Sequence, residues 1–246
     1  MIECFCVCRR GQIRPTNQDR AGCFSADDWC LGYVADGMGG HYNGEQASEI
    51  VSQACTRWWE DFLHSPQRPG FLQSVERLRC MLCQCHEDIA KTTPPNAICG
   101  TTVVLLWISG DEYALFSVGD SRCYEVTRRF GFIQNHIQLT HDDVSQEPHL
   151  AGKLIRALGP GTCELSLRTG TVVHGAVFAL CSDGIYKAYP AFPMELRRLT
   201  PKSSLEQAAG RIASQVEANG APDNYSLVLP KFRITRQIAL AVLASI

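Results

Sequence analysis

The sequence of 246 residues lacks an excess of positive charge, a long apolar segment and a Walker-type phosphate loop. Its 23 Lys and Arg against 25 Asp and Glu leave a formal net charge of −2. Such a chain has no basic field for sequence-independent binding to nucleic acid or to anionic lipid. No window is apolar over the length needed to cross a bilayer, and the missing Walker loop argues against a kinase or an ATPase.

The first residues, MIECFCVCRRGQ, also lack the apolar run and cleavage site of a secretory signal. We therefore expect a cytoplasmic protein whose 13 Cys are free thiols in a reducing compartment. Cys4, Cys6 and Cys8 alternate on a predicted strand, and Cys80 and Cys83 share one face of a predicted helix. Buried thiols explain both groups better than a structural zinc site does.

Short β-type runs dominate the chain, and helical patterns interrupt them. The predicted strands are 4–8, 29–36, 101–108, 112–119, 123–127, 132–140, 176–183 and 225–232. The predicted helices run from about 44 to 62, from 71 to 91 and from 205 to 218. Asn43 and Ser204 are the expected N-caps of the first and last helix. The pattern predicts one α+β domain over 1–246, in which sheets pack together under helices, with an apolar tail at 233–246.

Four acidic residues stand at the edges of apolar strands. They are Asp36, Asp120, Asp183 and Asp223. Any one of them alone is most simply a turn former. Four carboxylates at one end of a sheet would repel each other and raise one another's pKa unless a cation neutralised them. The pattern therefore indicates a site for Mg²⁺ or Mn²⁺, and spacing alone leaves open whether the four converge in space.

The first of these acids begins a glycine-rich stretch, VADGMGGHYNGEQAS, at residues 34–48. Gly37, Gly39 and Gly40 allow a sharp turn and a close approach of the backbone to an ion or a phosphate. Asp36 supplies the anion, and the helix that follows would hold the turn in place.

Together these motifs resemble the metal-dependent protein phosphatases of type 2C, in their bacterial form. The resemblance runs in order along nearly the whole chain. Its motifs are RPTNQDR (14–20), VADGMGGHYNGEQAS (34–48), GTT (100–102), VGDSRCYEV (118–126), LTHDD (139–143), RALG (156–159), LCSDGIY (180–186) and PDN (222–224).

The resemblance implies a central antiparallel β-sandwich flanked by helices on both outer faces, in four α/β/β/α layers. It also implies two Mn²⁺ or Mg²⁺ ions. Asp36 would bridge both ions, and Gly37 would contribute its carbonyl oxygen. Asp183 and Asp223 would complete the ligand set, and Asp120 would bind a weaker third ion.

The implied activity is hydrolysis of phosphoserine and phosphothreonine on proteins by a hydroxide that bridges the two ions. Arg14 would bind the phosphate, and Asp19 would orient metal-bound water. His41 would be either the nearest proton donor or a residue that holds the glycine turn.

Three features depart from the family pattern. Gln18 replaces a usual Glu and brings no charge, Lys187 stands where some members place an acid for the third ion, and the flap at about 144–155 is short. These departures keep a second hypothesis open, a pseudophosphatase that binds a phosphoprotein without turnover. In either case the expected partners are phosphorylated proteins, a cognate Ser/Thr kinase and its substrates, in some members attached to a secretion system.

Overall fold

The computed structural model describes residues 1–39, 44–94, 97–129, 132–173, 175–200 and 202–232. Its strands are β1 (Ile2–Arg9), β2 (Asp19–Ala26), β3 (Trp29–Met38), β4 (Gly100–Thr101), β5 (Val103–Ser109), β6 (Glu112–Val118), β7 (Arg122–Arg129), β8 (Phe132–Gln138), β9 (Ser166–Thr171), β10 (Val177–Cys181) and β11 (Tyr225–Phe232). Its helices are α1 (Gly44–His64), α2 (Phe71–Thr92), α3 (Asp183–Ala188), α4 (Phe192–Leu196) and α5 (Leu205–Ala218).

The strands form two antiparallel sheets that pack face to face. One sheet has the order β1-β11-β10-β7-β8, and the other has the order β2-β3-β5-β6-β9, with β4 paired to β3. Val34 and Leu106 of the second sheet meet Phe178 and Val228 of the first in a buried apolar layer. Because these strands are buried on both faces, they read as nearly continuous apolar runs in the sequence.

Helices cover the outer face of each sheet. Trp59 and Phe62 of α1 contact Trp107 of β5, with the Phe62 and Trp107 ring centroids 4.9 Å apart in an edge-to-face arrangement. On the other side, α3, α4 and α5 bury their apolar residues against β10 and β11. The predicted four-layer architecture is therefore confirmed.

Two strands of the second sheet have weak sequence signals and were not predicted. β2 reads DRAGCFSA, with no β-branched residue, and β9 reads SLRTGT, an edge strand whose residues are mostly exposed. Both form because a neighbouring strand supplies hydrogen-bonding partners over their length. Tertiary pairing decides such strands, and local propensity does not.

The helix boundaries match the predictions closely. The Ser204 side chain accepts a hydrogen bond from the Gln207 backbone N–H at 3.3 Å, which confirms the predicted cap of α5. The predicted cap Asn43 lies outside the described residues, as do His41, Gly40 and the tail at 233–246. None of the described helices is both long and apolar enough to cross a membrane.

Candidate metal centre and active site

A cavity of about 500 Å³ lies where β3, β6 and β10 end and β11 begins. The four acids of the strand edges all line it. They are Asp36, Asp120, Asp183 and Asp223. Arg14, Gln18 and Gly37 line the same cavity. The antiparallel pairing therefore brings together residues that are up to 209 positions apart in the chain.

Gly37 holds Asp36 in place through close backbone packing. A Cβ on Gly37 would lie 2.2 Å from the carbonyl oxygen of Gly44, at the start of α1, so only glycine fits there. The Gly37 N–H donates to the carbonyl oxygen of Gln18 at 3.1 Å, and the Ser48 hydroxyl donates to the same oxygen at 2.6 Å. The start of α1, the end of β3 and the residue before β2 are thus tied together.

Among the acids that line the cavity, Asp36 has the most strongly raised pKa. Burial raises the pKa of Asp36 well above its ordinary value, and the charges of Asp19, Asp183, Asp120 and Asp223 raise it further. A divalent cation among these carboxylates would remove the repulsion.

Asp183 and Asp120 share a cation that belongs to the chain itself. The Lys187 ammonium lies 2.5 Å from Oδ2 of Asp183 and 3.6 Å from Oδ2 of Asp120. The Tyr186 hydroxyl donates to the carbonyl oxygen and to Oδ2 of Asp120, at 3.1 and 3.2 Å. Burial raises the pKa of Asp120, and so does the charge of Asp183, whereas Lys187 and Tyr186 lower it.

Asp223 pairs with a second cation of the cavity, Arg14. Arg14 Nη2 donates to Oδ2 of Asp223 at 2.7 Å, and the Arg14 side chain remains 54% exposed. The Asn224 side chain accepts a hydrogen bond from the Gln18 N–H at 2.9 Å and donates to the carbonyl oxygens of Arg10 and Thr16. Asn224 therefore positions the loop that carries Arg14 and Gln18.

Asp19 lies beneath the cavity and does not line it. Its side chain is 1% exposed, and its Oδ2 accepts hydrogen bonds from the Ser182 and Ser226 hydroxyls at 2.7 and 2.8 Å. Its buried Oδ1 has no partner among the described residues. Burial raises the pKa of Asp19 to about 6, although the two hydroxyls lower it. Asp19 on β2 pairs with Asp36 on β3. The unsatisfied Oδ1 of Asp19 therefore lies next to the acidic cluster.

The short segment at the predicted flap folds back on itself beside the cavity. The Ser145 N–H donates to the Lys153 carbonyl oxygen at 2.8 Å, and Val144 pairs with Leu154. Gly152, Lys153 and Leu154 line the cavity. The exposed Lys153 side chain adds a third cation, after Arg14 and Lys187, to the cavity lining.

Comparison with known proteins decides the family. The family model described as protein phosphatase 2C matches residues 13–226. The chain belongs to this family. This chain is therefore a protein serine/threonine phosphatase by class. The family resemblance predicted from the sequence motifs is confirmed.

Its relatives include the serine/threonine phosphatase Stp of Listeria monocytogenes, 28% identical over 93% of this chain and 95% of that protein. A solved structure of PppA, described as a key regulatory component of T6SS in Pseudomonas aeruginosa, is 25% identical with a TM-score of 0.75. It covers 94% of this chain and 98% of that one. The catalytic domain of PstP in complex with two manganese ions is also 25% identical. Its TM-score is 0.76, with 95% of this chain and 99% of that chain covered.

The donor set of this 2C phosphatase fits hard divalent cations in its chemistry. Its carboxylates and the Gly37 carbonyl are oxygen donors of the kind that Mg²⁺ and Mn²⁺ prefer. Within the described ranges, no three Asp, Glu, His or Cys side chains are already arranged to hold a metal ion. Lys187 and Arg14 lie among the acids of the cavity, where they pair with Oδ2 of Asp183 and Oδ2 of Asp223.

Several residues of the site are not indicated by the sequence motifs. Asn224 belongs to the PDN motif, which predicts no role for it, yet it ties the Arg14 loop to β11. Ser182 and Ser226 hold Asp19 from the opposite sheet. The position of Asn224 directly after the predicted ligand Asp223 was an available signal. Ser226 within an apolar strand and Ser182 just after one give no signal of a contact with Asp19.

Proposed function

We propose that this 2C phosphatase removes phosphate from phosphoserine and phosphothreonine on proteins with two bound divalent cations, Mn²⁺ being favoured. The observation that carries the proposal is the convergence of Asp36, Asp120, Asp183 and Asp223 on one cavity. The manganese-bound PstP domain, which covers 95% of this chain, supports the choice of ion. Asp36, Gly37, Asp183 and Asp223 would hold the two ions.

When bound, the ions would supply Lewis-acid activation of water and neutralisation of phosphoryl charge. The chain's own residues then bind and orient the substrate. Arg14 is a planar donor at the rim of the cavity, suited to two phosphoryl oxygens at once. Asp223 would hold an ion, and its partner Arg14 would contact the phosphate.

Asp19 and Gln18 would orient water at the ions. The unsatisfied Oδ1 of Asp19 can accept a hydrogen bond from water. The Ser182 and Ser226 hydroxyls hold its Oδ2 in place. Gln18 can offer only a neutral hydrogen bond. We retain His41 as a proposed proton donor from the sequence, although it lies outside the described residues.

The test is hydrolysis of p-nitrophenyl phosphate and of a phosphothreonine peptide, with Mn²⁺ and then with excess chelator. Activity should require the metal and should disappear in Asp36→Asn and Asp183→Asn. Asp111→Asn, at an exposed hairpin turn between β5 and β6, is the matched control and should keep full activity. Equal rates with metal and chelator would rule out the proposal.

A pseudophosphatase is the second candidate, and the Lys187–Asp183 pair favours it. An ammonium at 2.5 Å already neutralises one proposed ligand, and Gln18 adds no charge to the set. This candidate predicts that the wild type and Asp36→Asn retain a phosphopeptide equally well and that neither releases phosphate. Metal-dependent phosphate release by the wild type would exclude it.

We also propose that the substrates are phosphorylated cytoplasmic proteins, including a cognate Ser/Thr kinase and its targets. The likeness to PppA, described as a key regulatory component of T6SS, supports a component of a secretion system as one such partner. Asp120 would hold a third, weaker ion only where Lys187 releases it, because their charged groups lie 3.6 Å apart. The short 144–155 segment leaves the cavity open for a folded phosphoprotein.

A further inference from the structure

Two thiols from distant parts of the chain meet on the outer side of the second sheet. The Cys163 thiol donates to the sulfur of Cys83 at 3.5 Å, across 80 positions of sequence. Cys83 lies on α2, and Cys163 lies in the irregular segment that leads into β9. Both side chains are half-buried, so small solutes reach them, whereas Cys30, Cys55 and Cys181 are fully enclosed.

The contact belongs to a small docking site for that segment. One helical turn after Cys83, the His86 Nδ1 accepts a hydrogen bond from the Gly159 N–H at 3.0 Å. Just before Gly159, the Leu158 backbone exchanges hydrogen bonds with Thr101. These bonds anchor the segment at Leu158 and Gly159, four residues before Cys163, and bring it against α2.

We infer that Cys83 and Cys163 form a redox modification site, at which hydrogen peroxide or a related peroxide converts the two thiols into a reversible disulfide. The sulfurs must approach from 3.5 Å to about 2.05 Å, a movement that side-chain rotation and a small shift of the exposed segment can supply. The inference does not depend on the proposed phosphatase chemistry.

The chemistry balances with peroxide as the oxidant. One thiol attacks peroxide and becomes a sulfenic acid, with release of one water. The second thiol displaces the hydroxyl of the sulfenic acid, forming the S–S bond and releasing a second water. The two sulfurs lose two electrons in all, and the two peroxide oxygens gain them. A dithiol reductant reverses the reaction.

The environment of Cys163 disfavours its thiolate at neutral pH. Burial and the neighbouring Cys83 raise the pKa of Cys163 to about 11, while the charge of Arg79 lowers it and that of Glu87 raises it. Attack on peroxide by Cys163 should therefore be faster at pH 9 than at pH 7. The crosslink would close a loop of about 80 residues, which restricts the unfolded chain strongly.

The test treats the purified full-length protein with hydrogen peroxide, blocks remaining thiols and digests it with trypsin without reduction. Cleavage after Arg79, Lys91, Arg156 and Arg168 gives peptides 80–91 and 157–168. We expect these two peptides joined by a disulfide, within a monomer on a non-reducing gel. The oxidised protein should unfold at a temperature higher by about 5–10 °C, and reductant should abolish the shift.

Variants identify the sulfurs, since peptide 80–91 holds three cysteines. Cys163→Ser and Cys83→Ser should each remove the joined peptides and the thermal shift. Cys80→Ser is the matched control, because Cys80 is exposed one turn earlier on the same helix and should leave both results unchanged. A crosslink that survives in Cys83→Ser, or full alkylation of both thiols in peroxide-treated wild type, would overturn the inference.

Discussion

The apolar layer between the two sheets and the acidic cavity at their end are built from the same strands. On β10, Phe178 and Leu180 are fully buried between the sheets, and Asp183 enters the cavity two residues after the strand ends. On β3, Val34 is fully buried, and Asp36 enters the cavity two positions later. Apolar burial stabilises the fold, whereas gathering carboxylates costs stability. The apolar burial along these strands therefore offsets the free-energy cost of holding the acids together.

Asp36→Asn should have the largest effect. It should lower activity at the cavity and leave the apolar layer intact. Phosphatase activity should fall by about 10³-fold or more, because a proposed bridging ligand loses its charge. The metal-free variant should unfold at a higher temperature than the metal-free wild type at pH 7.5. The reason is that the raised pKa of Asp36 makes its ionised form unfavourable in the fold, and Asn removes that charge.

Kinetics with Mn²⁺ and thermal unfolding in chelator measure the two effects on one protein sample. The sign follows from linkage: a raised carboxyl pKa contributes stability at low pH, and that contribution is lost as pH rises through the folded-state pKa. The gain from Asp36→Asn should therefore vanish in acid. A variant that loses both activity and metal-free stability at pH 7.5 would contradict the comparison.

The complementary change is Phe178→Ala in the apolar layer. It should lower the free energy of unfolding by about 3–5 kcal/mol, because a fully buried ring that packs edge-on against Tyr113 is removed. Urea unfolding measures the loss. At 25 °C the folded variant should keep the kcat of the wild type, and a large fall in kcat would show that the two regions are not separable.

Ser226→Ala tests the boundary between the apolar layer and the cavity, where Asp19 accepts hydrogen bonds from two hydroxyls. At pH 7.5 the loss of one donor to the carboxylate should cost about 1–3 kcal/mol of unfolding free energy in the metal-free protein. Since the pKa of Asp19 is raised to about 6 from 3.8, the group is mostly protonated in the fold at pH 5. The difference from wild type should therefore shrink at pH 5, as urea unfolding at both pH values will measure. An equal cost at both would assign Ser226 a packing role only.

The smallest expected effect concerns Lys187→Gln. Removing the ammonium that pairs with Asp183 should tighten Mn²⁺ binding by about two- to fivefold, because the Lys187 side chain is 58% exposed and solvent screens its charge. Isothermal titration calorimetry measures the affinity directly. Lys91→Gln is the control, since Lys91 also forms ion pairs, with Glu87 and Asp88, but on α2. Weaker binding in Lys187→Gln would mean that the ammonium assists the metal site.

Much of the fold was predictable where residues carry a strong local pattern. α2 and α5 begin at the predicted residues, Phe71 and Leu205, because helical periodicity and, for α5, a capping Ser204 mark them. β2 and β9 were missed because their sequences have little β propensity of their own. Lys187 departs from the family pattern, but its pairing with both Asp183 and Asp120 cannot be read from spacing.

The chemistry available here can be read from the amino acids alone: oxygen donors at strand ends, glycines where the backbone must approach closely, and the 2C phosphatase motifs in order. The folded chain was needed to show that Asp36, Asp183 and Asp223 share one cavity, that Asp19 lies under it with one unsatisfied oxygen, and that Cys83 meets Cys163. Strand pairing and sheet packing set the distances between remote residues, and local sequence patterns carry no information on those distances.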